Sequence, residues 1–263
     1  MQPIPVLENP AIWALTQNNA YLWMMVLTRM SGLMITLPAL SQERIPRMIR
    51  IAMVGLMTIV IAPVVPRPED LPQGIWSLGG FMACELFVGL ILGAIVSWLI
   101  EMVAFAGQLL DMQMGFAFAQ LVDPATSTSS AFSGIILIQC TLLFIVVSGL
   151  HHRMILALVE SYNILPMGYA PPVRLMEMIT LFGYLLAKGF QLSMPVLLAL
   201  MFVNVLEGFA AKFMPQLQLI QLAFPLKIAI GLFVFGFMLR EFGVWLRPLL
   251  EHMPEWALRL LMR

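Results

Sequence analysis

Long apolar runs alternate with short polar breaks along most of the chain. Ala20–Leu40 is the first run of membrane length, and the linker Ser41–Arg50 after it holds Arg44, Arg47 and Arg50. Met53–Val65 is shorter and closes in the proline-rich stretch Pro63–Pro72. Ile75–Ile100 and Ala131–Leu150 are two further runs. Leu175–Leu206 is too long for one straight span and contains Pro195, where a kink is expected. Leu217–Leu239, interrupted by Pro225, precedes an amphipathic tail from Glu241 to Arg263. A spanning helix needs about 20 apolar residues, so the pattern predicts an all-α integral membrane chain with roughly five to seven segments. No stretch remains for a separate soluble domain.

Four of these runs carry one charged residue near their middle: Arg29, Glu85, Lys188 and Lys227. The chain is 61% hydrophobic and only 11% charged, so these charges stand out. A charge at the bilayer centre costs about 2.5–3.5 kcal/mol or more, and it persists where it faces protein or water. Pairing is its usual fate, with Glu85, Glu207 and Glu241 as available partners. The net charge is zero and no basic run exists, which excludes a nucleic-acid binder.

The first 28 residues contain no Lys or Arg, so the start reads as a retained end rather than a secretory signal. The arginines of the first linker favour a cytoplasmic loop and an N-terminus outside. Cys84 and Cys140 lie inside apolar runs and read as small core residues, with neither a disulfide nor a metal site expected. His151-His152 are adjacent and so point apart on a helix, which reads as a solvated helix end. No nucleophile elbow, P-loop, zinc-protease or dinucleotide motif is present, so no catalytic residue, metal or cofactor is expected.

Two segments are unusual. Glu85, Gly89, Gly93, Ser97 and Glu101 recur at steps of four and share one helix face, and Gly89–Gly93 is a G-x-x-x-G that admits a close backbone. That face is either a packing seam or a surface for a partner, with Glu85 paired to a cation there. Met102–Val122 is apolar, yet Gln108, Asp111, Gln113 and Gln120 interrupt it, and Gly107 and Gly115 loosen it. It reads either as an amphipathic interfacial helix or as a deformable plug, because irregular backbone at membrane depth survives only when buried in protein or lining a cavity. Methionine fits a compliant seal, and the chain has 22.

Several fragments in order resemble the FliR family of flagellar export-gate proteins, whose virulence counterpart is the T component of type III secretion. They are Pro38-Ala-Leu with Ile45-Pro-Arg-Met-Ile-Arg50, Glu85-Leu-Phe-Val-Gly89-Leu, Ala106-Gly-Gln-Leu-Leu-Asp-Met-Gln-Met-Gly115 leading to Asp123-Pro124, and Ile155-Leu-Ala-Leu-Val-Glu-Ser-Tyr162 leading to Leu165-Pro-Met-Gly168. Gly208, Lys212, Pro215-Gln216 and Phe224-Pro-Leu-Lys227-Ile complete the series. Leu150 before His151, Gln218 and Ala223 depart from the family pattern.

The resemblance implies one subunit of a helical gate in the bacterial inner membrane, within the flagellar basal body. It would assemble with FliP, FliQ and FlhB and pass unfolded flagellar substrates without catalysis. It also implies that residues 1–263 form one unit, with a FliP-like N-terminal part and a FliQ-like C-terminal hairpin. Gly107, Met112, Met114, Gly115, Phe116 and Phe118 match the plug of the closed pore. Glu85, Lys188, Lys212 and Lys227 are candidates for buried or inter-subunit charge pairs, and Gly89, Gly93 and Ser97 for helix packing. The rival readings are an injectisome T subunit and, from another class, a secondary transporter, which needs matched broken helices that the chain lacks.

Overall fold

The computed structural model describes residues 10–37, 46–66, 74–116, 132–172, 174–213 and 219–262. Every element among them is a helix: α1 (Pro10–Thr36), α2 (Arg47–Ile61), α3 (Ile75–Met114), α4 (Phe132–Val147), α5 (Leu150–Ile164), α6 (Leu175–Phe213) and α7 (Leu219–Arg259). Three of them, α3, α6 and α7, are long and apolar enough to cross a membrane, or four if α4 and α5 together make one span. That count is of the described residues alone. Helix α6 continues through Pro195, and α7 runs through Pro225 into the tail expected to be separate. At 40 residues α3 measures about 60 Å, twice the hydrocarbon thickness.

The chain divides into two compact units, one of Met1–Ser97, His151–Glu177 and His252–Arg263, the other of Trp98–Leu150 and Met178–Glu251. In the first, α2 packs on α1. Leu22, Met25, Val26, Met30 and Leu33 of α1 and Val88, Leu92 and Ile95 of α3 are buried there. In the second, Leu99, Val103, Ala106, Leu110 and Met114 of α3 are buried together with Leu137 of α4, Val196 and Leu200 of α6, and Phe242 and Leu246 of α7. The buried spacing of three and four is that of a helix with one packed face.

The small-residue face of α3 is a seam within the chain. A side chain at Gly89 would strike the Arg29 carbonyl oxygen and stand 2.9 Å from Leu33 N, while one at Gly93 would strike Thr36. Ser97 Oγ donates to the carbonyl of Thr36, the last residue of α1, satisfying an acceptor that a helix end leaves without a partner. The alternative, that this face serves a neighbouring subunit, is therefore set aside for Gly89, Gly93 and Ser97: α1 occupies it. Glu101, last in the series, is exposed.

Backbone rather than a movable side chain opposes any atom added at Gly89. The predicted cost of Gly89→Ala is about 1–3 kcal/mol, in the range of overpacked cores. Gly79→Ala meets nothing within 4 Å and serves as the control, neutral or stabilising by up to about 1 kcal/mol. Thermal unfolding of both variants in one detergent checks this; equal midpoints would remove the seam from the account.

Candidate functional site: a buried charge cluster and an anchored helix end

In the first unit Arg29 and Glu85 are both 0% exposed, and Arg29 Nε donates to Glu85 Oε2 at 2.6 Å. The remaining guanidinium nitrogens are also engaged: Nη1 donates to Ser161 Oγ at 2.9 Å and Nη2 to the Leu165 carbonyl at 3.3 Å. The second carboxylate oxygen of Glu85 accepts the Gly168 backbone N–H at 2.9 Å. Tyr162 lays its ring under the guanidinium, 3.7 Å from its carbon to the ring centroid. An Arg–carboxylate pair without water holds only when its other donors and acceptors are filled. Here α1, α3, α5 and the turn after α5 fill them, so the pair pins four segments at one point. Glu85 is thus neutralised inside its own chain rather than by another subunit.

The second unit holds the region read as a plug. The expected loop is helical to Met114, with Val103, Ala106, Gly107, Leu110, Asp111 and Met114 buried on one face and Gln108, Met112 and Gln113 exposed. Of the two sequence readings, its amphipathic pattern fits the helical one as far as Met114. Gly107 lets α3 meet Gly134 of α4 backbone to backbone. Asp111 accepts the Ser133 backbone N–H with both oxygens, at 3.0 and 3.2 Å, which fills a free donor at the start of α4. The helix stops at Gly115, whose φ of +87° suits a residue without a side chain and whose Cα faces the Phe224 ring. Met114 lies against Gly231, and the Phe116 ring packs 5.9 Å from that of Phe132. Phe118 lies outside the described residues.

The other charges are placed differently from one another. Lys227 pairs with Glu207 at 2.9 Å, both side chains 23% exposed. Lys188 donates to the neutral amide oxygen of Gln191 at 3.0 Å, and its ammonium is 5.6 Å from the Tyr184 ring centroid. The expected partner Glu241 instead lies 3.9 Å from Arg240. Lys212 is exposed in the chain alone, so burial there is not a property of this chain by itself. Cys84 and Cys140 are free and half-buried, and His151 and His152 are exposed. Ser161, Tyr162 and Gly168 do not stand out from sequence on their own. Their only signal is membership of the fragment Ile155–Tyr162 with Leu165–Gly168.

Residues 20–253 match the family described as bacterial export proteins, family 1. The chain belongs to that family. Its similarity to the flagellar biosynthetic protein FliR of Caulobacter vibrioides is 29% identity over 222 residues, 82% of this chain and 88% of that one. FliR of Bacillus subtilis is 29% identical over 218 residues, 80% and 82% of the two chains. The Yop proteins translocation protein T of Yersinia pestis is 24% identical over 225 residues, 82% and 85%. The family match embraces Arg29, Glu85, Tyr162 and the whole of α3, so the cluster and the anchored helix end belong to the shared region.

The Tyr162 hydroxyl is buried and makes no hydrogen bond, so its role lies in the ring face. Tyr162→Phe is expected to be neutral or slightly stabilising. Tyr162→Leu is expected to lose on the order of 1–2 kcal/mol through the missing cation–π contact. Comparing their unfolding midpoints is the check: a Phe variant as damaged as the Leu variant would mean that the hydroxyl, not the ring, matters.

Proposed function

We propose that this chain is a core subunit of the flagellar type III protein export gate in the bacterial inner membrane, at the flagellar basal body. In this reading it assembles with FliP and FliQ, receives FlhB, and surrounds the path of unfolded flagellar proteins as a passive part of the machine. The observation that carries it is the similarity to FliR proteins over about four fifths of both chains. Only 33% of the most apolar window of α6 and 17% of that of α7 are buried by the chain itself, leaving Phe202, Phe209, Phe233 and Phe237 outward. In the proposal α6 and α7 are the FliQ-like part and the preceding helices the FliP-like part.

The plug in this reading is the end of α3 together with the residues Gly115 to Phe118. Asp111 and Met114 anchor the segment, while Met112, 67% exposed, and half-buried Phe116 are available to close a pore, with Phe118 completing the seal. Gly115 is the turning point between the anchored and the sealing parts. Lys212, exposed and basic near the end of α6, is left for an acidic group of a neighbour. The likeness to a Yersinia pestis translocation protein favours one second reading, the equivalent subunit of a virulence secretion system. Copurification decides between them, since the neighbours that come down with the chain are flagellar in one case and not in the other.

Replacing Met112, Phe116 and Phe118 together by alanine, with Asp111 and Met114 kept, is predicted to raise the permeability of cells to small ions while the assembled complex remains recoverable. Unaltered permeability in a strain that still assembles the complex would remove the plug assignment.

A further inference from the structure

The second unit contains an antiparallel arrangement of α6 and α7, fixed at one end by the Glu207–Lys227 pair. At the other end a groove of about 300 Å³ opens between the helices, lined among others by Gln191, Pro195, Phe237, Met238, Glu241 and Trp245. Lys188 and Glu207 are nineteen residues apart on α6, about 28 Å of helix, close to the hydrocarbon thickness of about 30 Å. Between them only Gln191, Ser193 and Asn204 are polar, and Ser193 is buried. On α7 no polar side chain lies between Lys227 and Arg240. The exposed surface of the intervening stretch is apolar, with Leu198, Met201, Phe202, Val205, Phe233 and Phe237 outward.

On α6 this pattern reads as an apolar band bounded by two polar positions, while on α7 the apolar stretch from Lys227 to Arg240 is shorter, about 20 Å. The layer at Lys188 also holds Tyr184 and Trp245, and Tyr and Trp favour the headgroup level of a bilayer. The two other mid-segment cations, Arg29 and Lys227, have carboxylate partners in the chain, whereas the ammonium of Lys188 meets a neutral amide. No carboxylate partner of Lys188 is present among the described residues. Arg240 lies 3.9 Å from the carboxylate of Glu241.

We propose that the groove between α6 and α7 holds an acyl chain of a phospholipid whose phosphate is bound by Lys188, so that the Lys188 layer marks the headgroup boundary. The inference depends on α6 and α7 crossing a membrane and is independent of the export-gate reading. Its failure would leave that reading intact. An acidic helix of a partner protein is the competing occupant, and a test must separate the two.

The full chain is made in its own membranes with photoreactive benzoylphenylalanine at Phe237 or, separately, at Leu198. Irradiation should yield phospholipid adducts at both positions. Lys188→Met should lower the adduct at Phe237 several-fold, and Lys188→Arg should retain it. Adducts with protein chains alone, or a lipid adduct unchanged in Lys188→Met, would overturn the proposal. A second measurement needs no variant: the unsubstituted chain in detergent is offered phosphatidylglycerol or diacylglycerol, and bound lipid is read from the mass of the intact assembly. Retention of phosphatidylglycerol with loss of diacylglycerol is expected, and equal retention of both would exclude a phosphate site.

Discussion

A charge inside an apolar helix must find a counter-charge or water, and the first unit is built on that constraint. Arg29 and Glu85 have no exposed surface, so their desolvation is offset only by each other and by the groups around them. Those groups come from α5 and the turn after it: the side chain of Ser161, the Leu165 carbonyl, the Gly168 N–H and the Tyr162 ring. Apolar burial alone would bring α1, α3 and α5 together in many registers, since greasy surfaces are not directional. The ion pair selects one register. The glycine seam is tied to it, because a pair this close brings Gly89 against the backbone of Arg29.

The same rule governs the second unit in a weaker form. Asp111 is buried on the packed face of α3, where its carboxylate meets a donor at the start of α4. Lys227 and Glu207 join α6 to α7 while keeping some contact with their surroundings. Lys188, half-buried, instead meets the neutral amide of Gln191, with no carboxylate partner among the described residues. Internal neutralisation thus separates Arg29 and Lys227, which have carboxylate partners in the chain, from Lys188, which has none among the described residues.

Much of this was legible in the sequence, and the misses have physical reasons. The four-residue spacing of Glu85, Gly89, Gly93 and Ser97 identified a close-packed face, because that spacing has one meaning on a helix. Its occupant was left open, since α1 is distant in sequence and a glycine face is equally suited to another subunit. Among the mid-segment charges, pairings of Arg29 with Glu85 and Lys227 with Glu207 were among the options, but composition alone did not distinguish them from Lys188 with Glu241. The end of α3 was harder. Gly107 and Gly115 look alike as flexible positions, yet one admits Gly134 inside a regular helix and the other ends it with a positive φ. Asp111 looked like an interruption because its partner is a backbone N–H, which sequence pattern does not display. Pro195 reads as a kink and Pro225 as an interruption, and both helices run through them.

The most direct test of internal neutralisation is a double-mutant cycle on Arg29 and Glu85, using Arg29→Met, Glu85→Leu and the pair together, with unfolding followed in one detergent. Removing either partner alone strands a buried charge, for which a loss of about 3–5 kcal/mol is expected. The double replacement should recover most of that loss, giving a large favourable coupling between the two sites. Losses that simply add would contradict the account, since two groups that do not depend on each other cannot be what holds the helices in register.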